Sequence, residues 1–124
     1  MIGPKTIFPL ATLDSNTDGS ARTWYVEVPF AGATKTLTLG LFVLAVSGSG
    51  VRLNIKAYQG MDGVRWESTP FWTAFTDVSA ETYKLVQSTD DFGPRVRIEI
   101  AVSVSGASAQ ESVTLELQAS GKPF

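Results

Sequence analysis

Arg95-Val96-Arg97-Ile98-Glu99-Ile100-Ala101-Val102-Ser103-Val104 is the stretch that decides the fold. Its even positions are apolar without exception, and its odd positions are charged or small. In an extended chain successive side chains point to opposite faces, so this pattern writes a strand with one buried and one open side. The stretch is long enough to cross a whole sandwich. Val51-Arg52-Leu53-Asn54-Ile55-Lys56-Ala57-Tyr58 repeats the pattern with Val51, Leu53, Ile55 and Ala57 on the apolar side.

Working outward from these two, Trp24 to Val28 alternates and stops at Pro29, and Ser112 to Ala119 alternates with Val113, Leu115, Leu117 and Ala119 inward. Ile7 to Leu10 reads as a short edge strand bounded by Pro4 and Pro9, since proline is tolerated where no ladder hydrogen bond is needed. Phe71 to Phe75 and Glu81 to Val86 are two shorter strands around Asp77–Ala80. Thr34 to Val46 is a long one: Leu37, Leu39 and Leu41 alternate, then Phe42 to Val46 is apolar throughout. That change predicts burial on both faces from Phe42 onward, with a kink at Gly40. Ser47-Gly48-Ser49-Gly50 predicts a hairpin joining Thr34–Val46 to Val51–Gln59. Further turns are expected at Gly60–Gly63, Asp90–Pro94 and Gly106–Gln110.

No segment spaces its apolar residues helically for three turns. About eight strands with a turn signal every ten or so residues give an all-β chain, an antiparallel β-sandwich or jelly roll. The 124 residues read as a single sandwich domain, with 1–10 as an N-terminal arm and 120–124 as a short, loose C-terminal tail.

Composition narrows the chemistry. There is no His and no Cys, which removes the Ser–His and Cys–His nucleophile pairs, the usual zinc sites and any disulfide framework. Ten basic against twelve acidic residues give a net charge of −2 with no basic stripe, so nucleic acid is not expected as a partner. Arg95, Arg97 and Glu99 read as an ordinary solvated strand face. The acidic residues fall in turns or on open faces, so no carboxylate pair suggests a glycosidase. No apolar run approaches membrane-spanning length, and residues 1–9 lack the apolar core of a secretory signal. The expectation is a soluble protein that is not an enzyme and carries no cofactor.

Two local features point to ligands. Asp14-Ser15-Asn16-Thr17-Asp18-Gly19 matches the opening of a calcium loop, with oxygens at Asp14, Asn16 and Asp18, but Tyr25 stands where the closing bidentate Glu belongs. The competing reading is a loop whose side chains bond their own backbone. Trp66, Phe71, Trp72 and Phe75 cluster within ten residues. They suit either a subunit interface, where large aromatics are enriched, or a stacking platform for surface glycans. Ile7 and Phe8 add apolar contact area to the arm.

The stretch Leu37–Trp66, with its apolar strand, Ser-Gly-Ser-Gly turn and Tyr58-Gln59-Gly60-Met61-Asp62-Gly63-Val64-Arg65-Trp66 ending, resembles small all-β structural proteins of tailed bacteriophages. Asp62, Gly63 and Trp66 match their S-x-D-G-x-x-W turn, with Gly60-Met61 displacing the serine; Phe71–Phe75 matches the middle segment, and Arg95–Val104 with Val113–Ala119 the closing strands. The resemblance covers about two-thirds of the chain. It implies a virion component, either head-decorating or cementing or a head–tail accessory, made in the host cytoplasm. Its expected partners are its own copies, as a homo-oligomer, and other virion proteins. A carbohydrate-binding sandwich is the alternative.

Overall fold

The computed structural model describes residues 2–88, 92–106 and 109–124. Eight strands account for most of them: β1 (Ile2–Asp14), β2 (Arg22–Glu27), β3 (Thr34–Val46), β4 (Val51–Gly60), β5 (Trp72–Val78), β6 (Thr82–Gln87), β7 (Arg95–Val104) and β8 (Ser112–Pro123). One 3-10 turn, Ala31–Ala33, precedes β3. The strands form two four-stranded antiparallel sheets, β1-β8-β3-β6 and β2-β7-β4-β5. The order is that of a long ribbon rolled up on itself. β1 pairs with β8, β2 with β7, β3 with β6 and β4 with β5, and the roll then brings β8 beside β3 and β7 beside β4. This is jelly-roll topology, an all-β sandwich.

The alternation seen in the sequence is the burial pattern. Val96, Ile98, Ile100 and Val102 of β7 and Val51, Leu53, Ile55 and Ala57 of β4 are sealed from solvent on the inner face of one sheet. Leu37, Leu39, Leu41 and Val43 of β3 and Val113, Leu115 and Leu117 of β8 meet them from the other. Each fully buried valine, leucine or isoleucine among them contributes about 1.5–3 kcal/mol of transfer free energy. The four central strands therefore hold the sandwich together.

Several expectations are corrected. Residues 2–10 are not an arm: they are the first part of β1, an edge strand paired with β8, with register irregularities between Ile2 and Ala11 where Pro4 and Pro9 withhold donors. The C-terminal residues are no loose tail, because β8 runs on to Pro123 and pairs there with Thr34 of β3. Gly121 permits this: a Cβ there would collide with Thr34. Ser47–Gly50 does not close a hairpin, since β3 and β4 lie in different sheets and the turn carries the chain between them. Among consecutive strands, β4 and β5 are neighbours in one sheet. The irregularities in the pairing of β3 with β8 fall between Thr34 and Thr36 and between Val43 and Ala45 rather than at Gly40. Phe42 and Leu44 are exposed, not buried on a second face, because no further layer among the described residues covers that sheet. The expected turn at Asp90–Pro94 and loop at Gly106–Gln110 each include residues outside those described (Asp90 and Asp91; Ala107 and Ser108).

Candidate functional site

The inner faces of the two sheets are alike, so any specific chemistry belongs to the outer faces. On the β2-β7-β4-β5 sheet the outward residues of β7 include Arg95, Arg97 and Glu99. Cross-strand register sets Glu27 and Tyr58 opposite Arg97, and Tyr25 and Lys56 opposite Glu99. Trp66 joins them from outside the strands. Beyond β4 the chain turns through 61–65 and comes back to pair Trp66 with Gly60. That return requires a bare backbone at Gly60, where a Cβ would sit 2.6 Å from the carbonyl oxygen of Arg65.

The returning loop is held by one carboxylate. Asp62 Oδ1 accepts the backbone N–H groups of Val64 and Arg65, each at 2.9 Å, and Oδ2 accepts Arg65 Nε and Nη2 at 2.9 and 2.7 Å. These bonds, led by the two backbone donors, hold its pKa down at about 2. Gly63 supplies the left-handed turn, φ +76°. Arg95 pins the loop to the sheet, with a bidentate pair to Glu27 (2.6 and 2.7 Å) and a 3.3 Å bond from Nη1 to the Asp62 carbonyl oxygen. Glu27 raises the Arg95 pKa further.

With the loop in place, the guanidinium of Arg97 lies between two rings. Its Cζ is 4.1 Å from the Tyr25 centroid and 5.1 Å from that of Trp66. The ion pairs among the described residues are Arg65–Asp62 and Arg95–Glu27, so Arg97 takes part in neither. Its Nε is shut off from solvent without a hydrogen-bond partner among the described residues. Tyr25 donates its hydroxyl to Glu99 Oε2 at 3.2 Å. Burial, and then the negative charge of Glu99, push the Tyr58 phenol up. Trp66 also borders a cleft of about 440 Å³, whose lining includes Gln59, Met61, Asp62, Arg65 and Glu67.

The opposite outer face, on β1-β8-β3-β6, is apolar at its β6 edge. Phe42 stacks on Tyr83 with centroids 6.1 Å apart and planes inclined by 15°. Leu44 and Leu85 flank them, and the four side chains are 43–69% exposed. Beside Leu85 lies a shallow hollow bordered by Pro4, Thr38, Gly40 and Gln118.

Of the aromatic and arm residues singled out in the sequence, Trp66 alone reaches an outer face. Phe75 is 4% exposed and belongs to the core, because β5 turns it inward opposite Ile55. Trp72, aligned with inward-facing Ala57, packs half-buried against the core, as do Phe71, Ile7 and Phe8. Phe71 also meets Phe92 at 5.6 Å. Trp66 and Trp72 therefore share no face. In the Asp14–Gly19 loop, Asp18 accepts the Ser20 N–H and hydroxyl, bonds that lower its pKa, while the Asn16 amide donates to Ser20 Oγ and the Ala21 carbonyl. Asp14 lies at the end of β1, opposite Ser112. No group of three or more metal-binding side chains occurs among the described residues.

Sequence reasoning missed Arg97, which reads as solvated until Trp66 is known to fold back over it. It also missed the Phe42–Tyr83 patch. The matching Phe42-x-Leu44 and Tyr83-x-Leu85 pairs were the available signal.

No protein-family profile matches the chain, and no curated protein does. Solved structures with the same fold include a chain of infectious bursal disease virus, Gt strain, with TM-score 0.60 and 15% identity over 98% of this chain and 32% of that one. The VP2 protein of the same virus, as a point mutant in derived T=1 particles, gives 0.54 and 16% identity over 98% and 32%. The enzymatically active domain of bacteriophage CBA120 tailspike protein 4 gives 0.51 and 10% identity over 94% and 19%. At these identities the likeness is one of fold. This chain spans about a third of the length of the virus chains it matches.

Proposed function

We propose that this protein is a non-enzymatic structural component of a virus particle, of the decorating, cementing or head–tail accessory kind, working through contact with its own copies and with other particle proteins. The observation that carries the proposal is the uncovered Phe42–Leu44–Tyr83–Leu85 patch beside the free edge of β6. Large apolar side chains grouped on an open sheet face mark protein contact surfaces, and a free strand edge offers backbone groups for pairing. The small net charge of −2 opposes self-association only weakly. The fold shared with a particle-forming VP2 protein and a phage tailspike domain is in keeping with this reading. The absence of His and Cys suits a role without catalysis.

The test is the solution mass of the purified protein by light scattering across a wide dilution series. A defined oligomer that persists on dilution is expected. A monomer at every concentration would count against assembly through this face.

A further inference from the structure

The outer face of the β2-β7-β4-β5 sheet is unlike the assembly face, and the inference drawn from it does not rest on the assembly reading. We propose that Arg97, held between Tyr25 and Trp66, is the anchor of a binding site for a carboxylate-bearing sugar.

Three observations lead there. First, the guanidinium is held but its hydrogen bonds are not spent. Its Cζ lies 4.1 and 5.1 Å from the two ring centroids, while it joins neither ion pair among the described residues and its Nε has no partner among them. Arginine placed only for stability normally delivers its fork to an acceptor, as Arg95, two residues earlier on β7, does to Glu27. With Tyr25 and Trp66 against it and Nε enclosed, the guanidinium keeps its terminal Nη groups for a planar, bidentate carboxylate.

Second, the surrounding charge selects the anion. Glu99 and Glu27 lie on the same face, and Asp62 and Glu67 border the adjoining cleft. Glu27 and Asp62 are already paired with Arg95 and Arg65, and against the remaining charge of Glu99 and Glu67 a carboxylate, one charge to a sugar ring, meets less repulsion at the arginine than a dianionic phosphate would.

Third, the neighbourhood of the anchor is amphipathic in the way a sugar ring is. Trp66 belongs to both the stack and the cleft, so it offers ring surface for the C–H face of a pyranose. Tyr58 stands opposite Arg97 and Lys56 opposite Glu99 on the same face, which supplies donors and acceptors for hydroxyls around the arginine. The loop that delivers Trp66 is already locked by Asp62 and Arg95, so little ordering would be needed on binding.

The test is calorimetric titration of the intact chain with trigalacturonate, with neutral galactotriose, and with a short glutamate-rich peptide. In parallel, backbone and indole resonances of the wild type are followed by NMR. Trigalacturonate is expected to bind saturably and at least about tenfold more tightly than the neutral trisaccharide or the peptide. The resonance changes should centre on Tyr25, Trp66 and Arg97. Arg97→Gln should lose at least about tenfold in affinity, and Arg97→Lys should recover part of it, because the charge returns without the fork. Absence of saturable binding, equal binding of the neutral sugar, resonance changes elsewhere, or an Arg97→Gln variant that folds and binds as before would each overturn the proposal. Peptide binding as tight as that of the sugar would overturn the sugar assignment in favour of a protein partner. The wild-type mapping stands even if both variants fail to fold.

Discussion

The two outer faces of this sandwich began from the same rule and ended with opposite chemistry. Both sheets are four strands wide, antiparallel and sealed inside by alternating aliphatics. Outside, the β3–β6 region exposes Phe42, Leu44, Tyr83 and Leu85. The β2–β7–β4 region instead carries Arg97 between Tyr25 and Trp66, with Glu99, Glu27 and Arg95 around it. The inner faces are under one constraint, exclusion of water, so they converge. The outer faces answer only to what they meet, so their divergence carries the functional information.

The largest expected effect separates inside from outside within one sheet. Leu41 is fully buried on β3, and Leu85 is 61% exposed on the neighbouring strand β6. Leu41→Ala should cost about 2–5 kcal/mol in chemical denaturation, because it leaves a cavity in packed surroundings. Leu85→Ala should cost about 0.5 kcal/mol or less. Comparable losses at both positions would mean that the outer patch is part of the fold's own packing.

A smaller effect concerns the hollow at Gly40. A Cβ there would meet Leu85 Cδ2 at 2.9 Å, and that atom ends a flexible, exposed side chain that can move aside. Gly40→Ala should therefore melt close to wild type while weakening self-association severalfold in sedimentation measurements. Loss of folding, or association left intact, would remove the hollow from the contact surface.

The smallest effect belongs to the polar face and is driven by pH. Asp62 has its pKa lowered to about 2, so its contribution to the loop is complete above the ordinary carboxylate value and fades as pH falls through about 2. NMR of the Val64 and Arg65 amides should show the 61–65 loop intact at pH 4 and released near pH 2. Release between pH 4 and 5 would show that the carboxylate does not hold those donors.

Much of this architecture was legible in the chain because alternation is a direct record of one-sided burial. Arg95–Val104 appears as β7 with the boundaries its pattern suggests. What the pattern does not carry is which sheet a strand joins. The Ser47–Gly50 turn looks the same whether it closes a hairpin or crosses between layers, so the β3–β4 connection was misread. Strand extension was underestimated at both ends, since β1 and β8 support each other and neither Ile2–Leu10 nor Ser120–Pro123 has a strong pattern alone. The candidate site was less legible still. Arg97 becomes distinctive only when β2 brings Tyr25 from one side and the Gly60 return brings Trp66 from the other, contacts spanning 72 and 31 residues of sequence.

The measurement that bears most directly on the contrast between the faces is the solution mass of three proteins at matched concentrations: wild type, Leu85→Glu and Arg97→Gln. The assembly account predicts an oligomer for wild type and Arg97→Gln and a folded monomer for Leu85→Glu. An oligomer that survives Leu85→Glu but is lost in a folded Arg97→Gln would contradict it by moving the assembly surface to the other sheet.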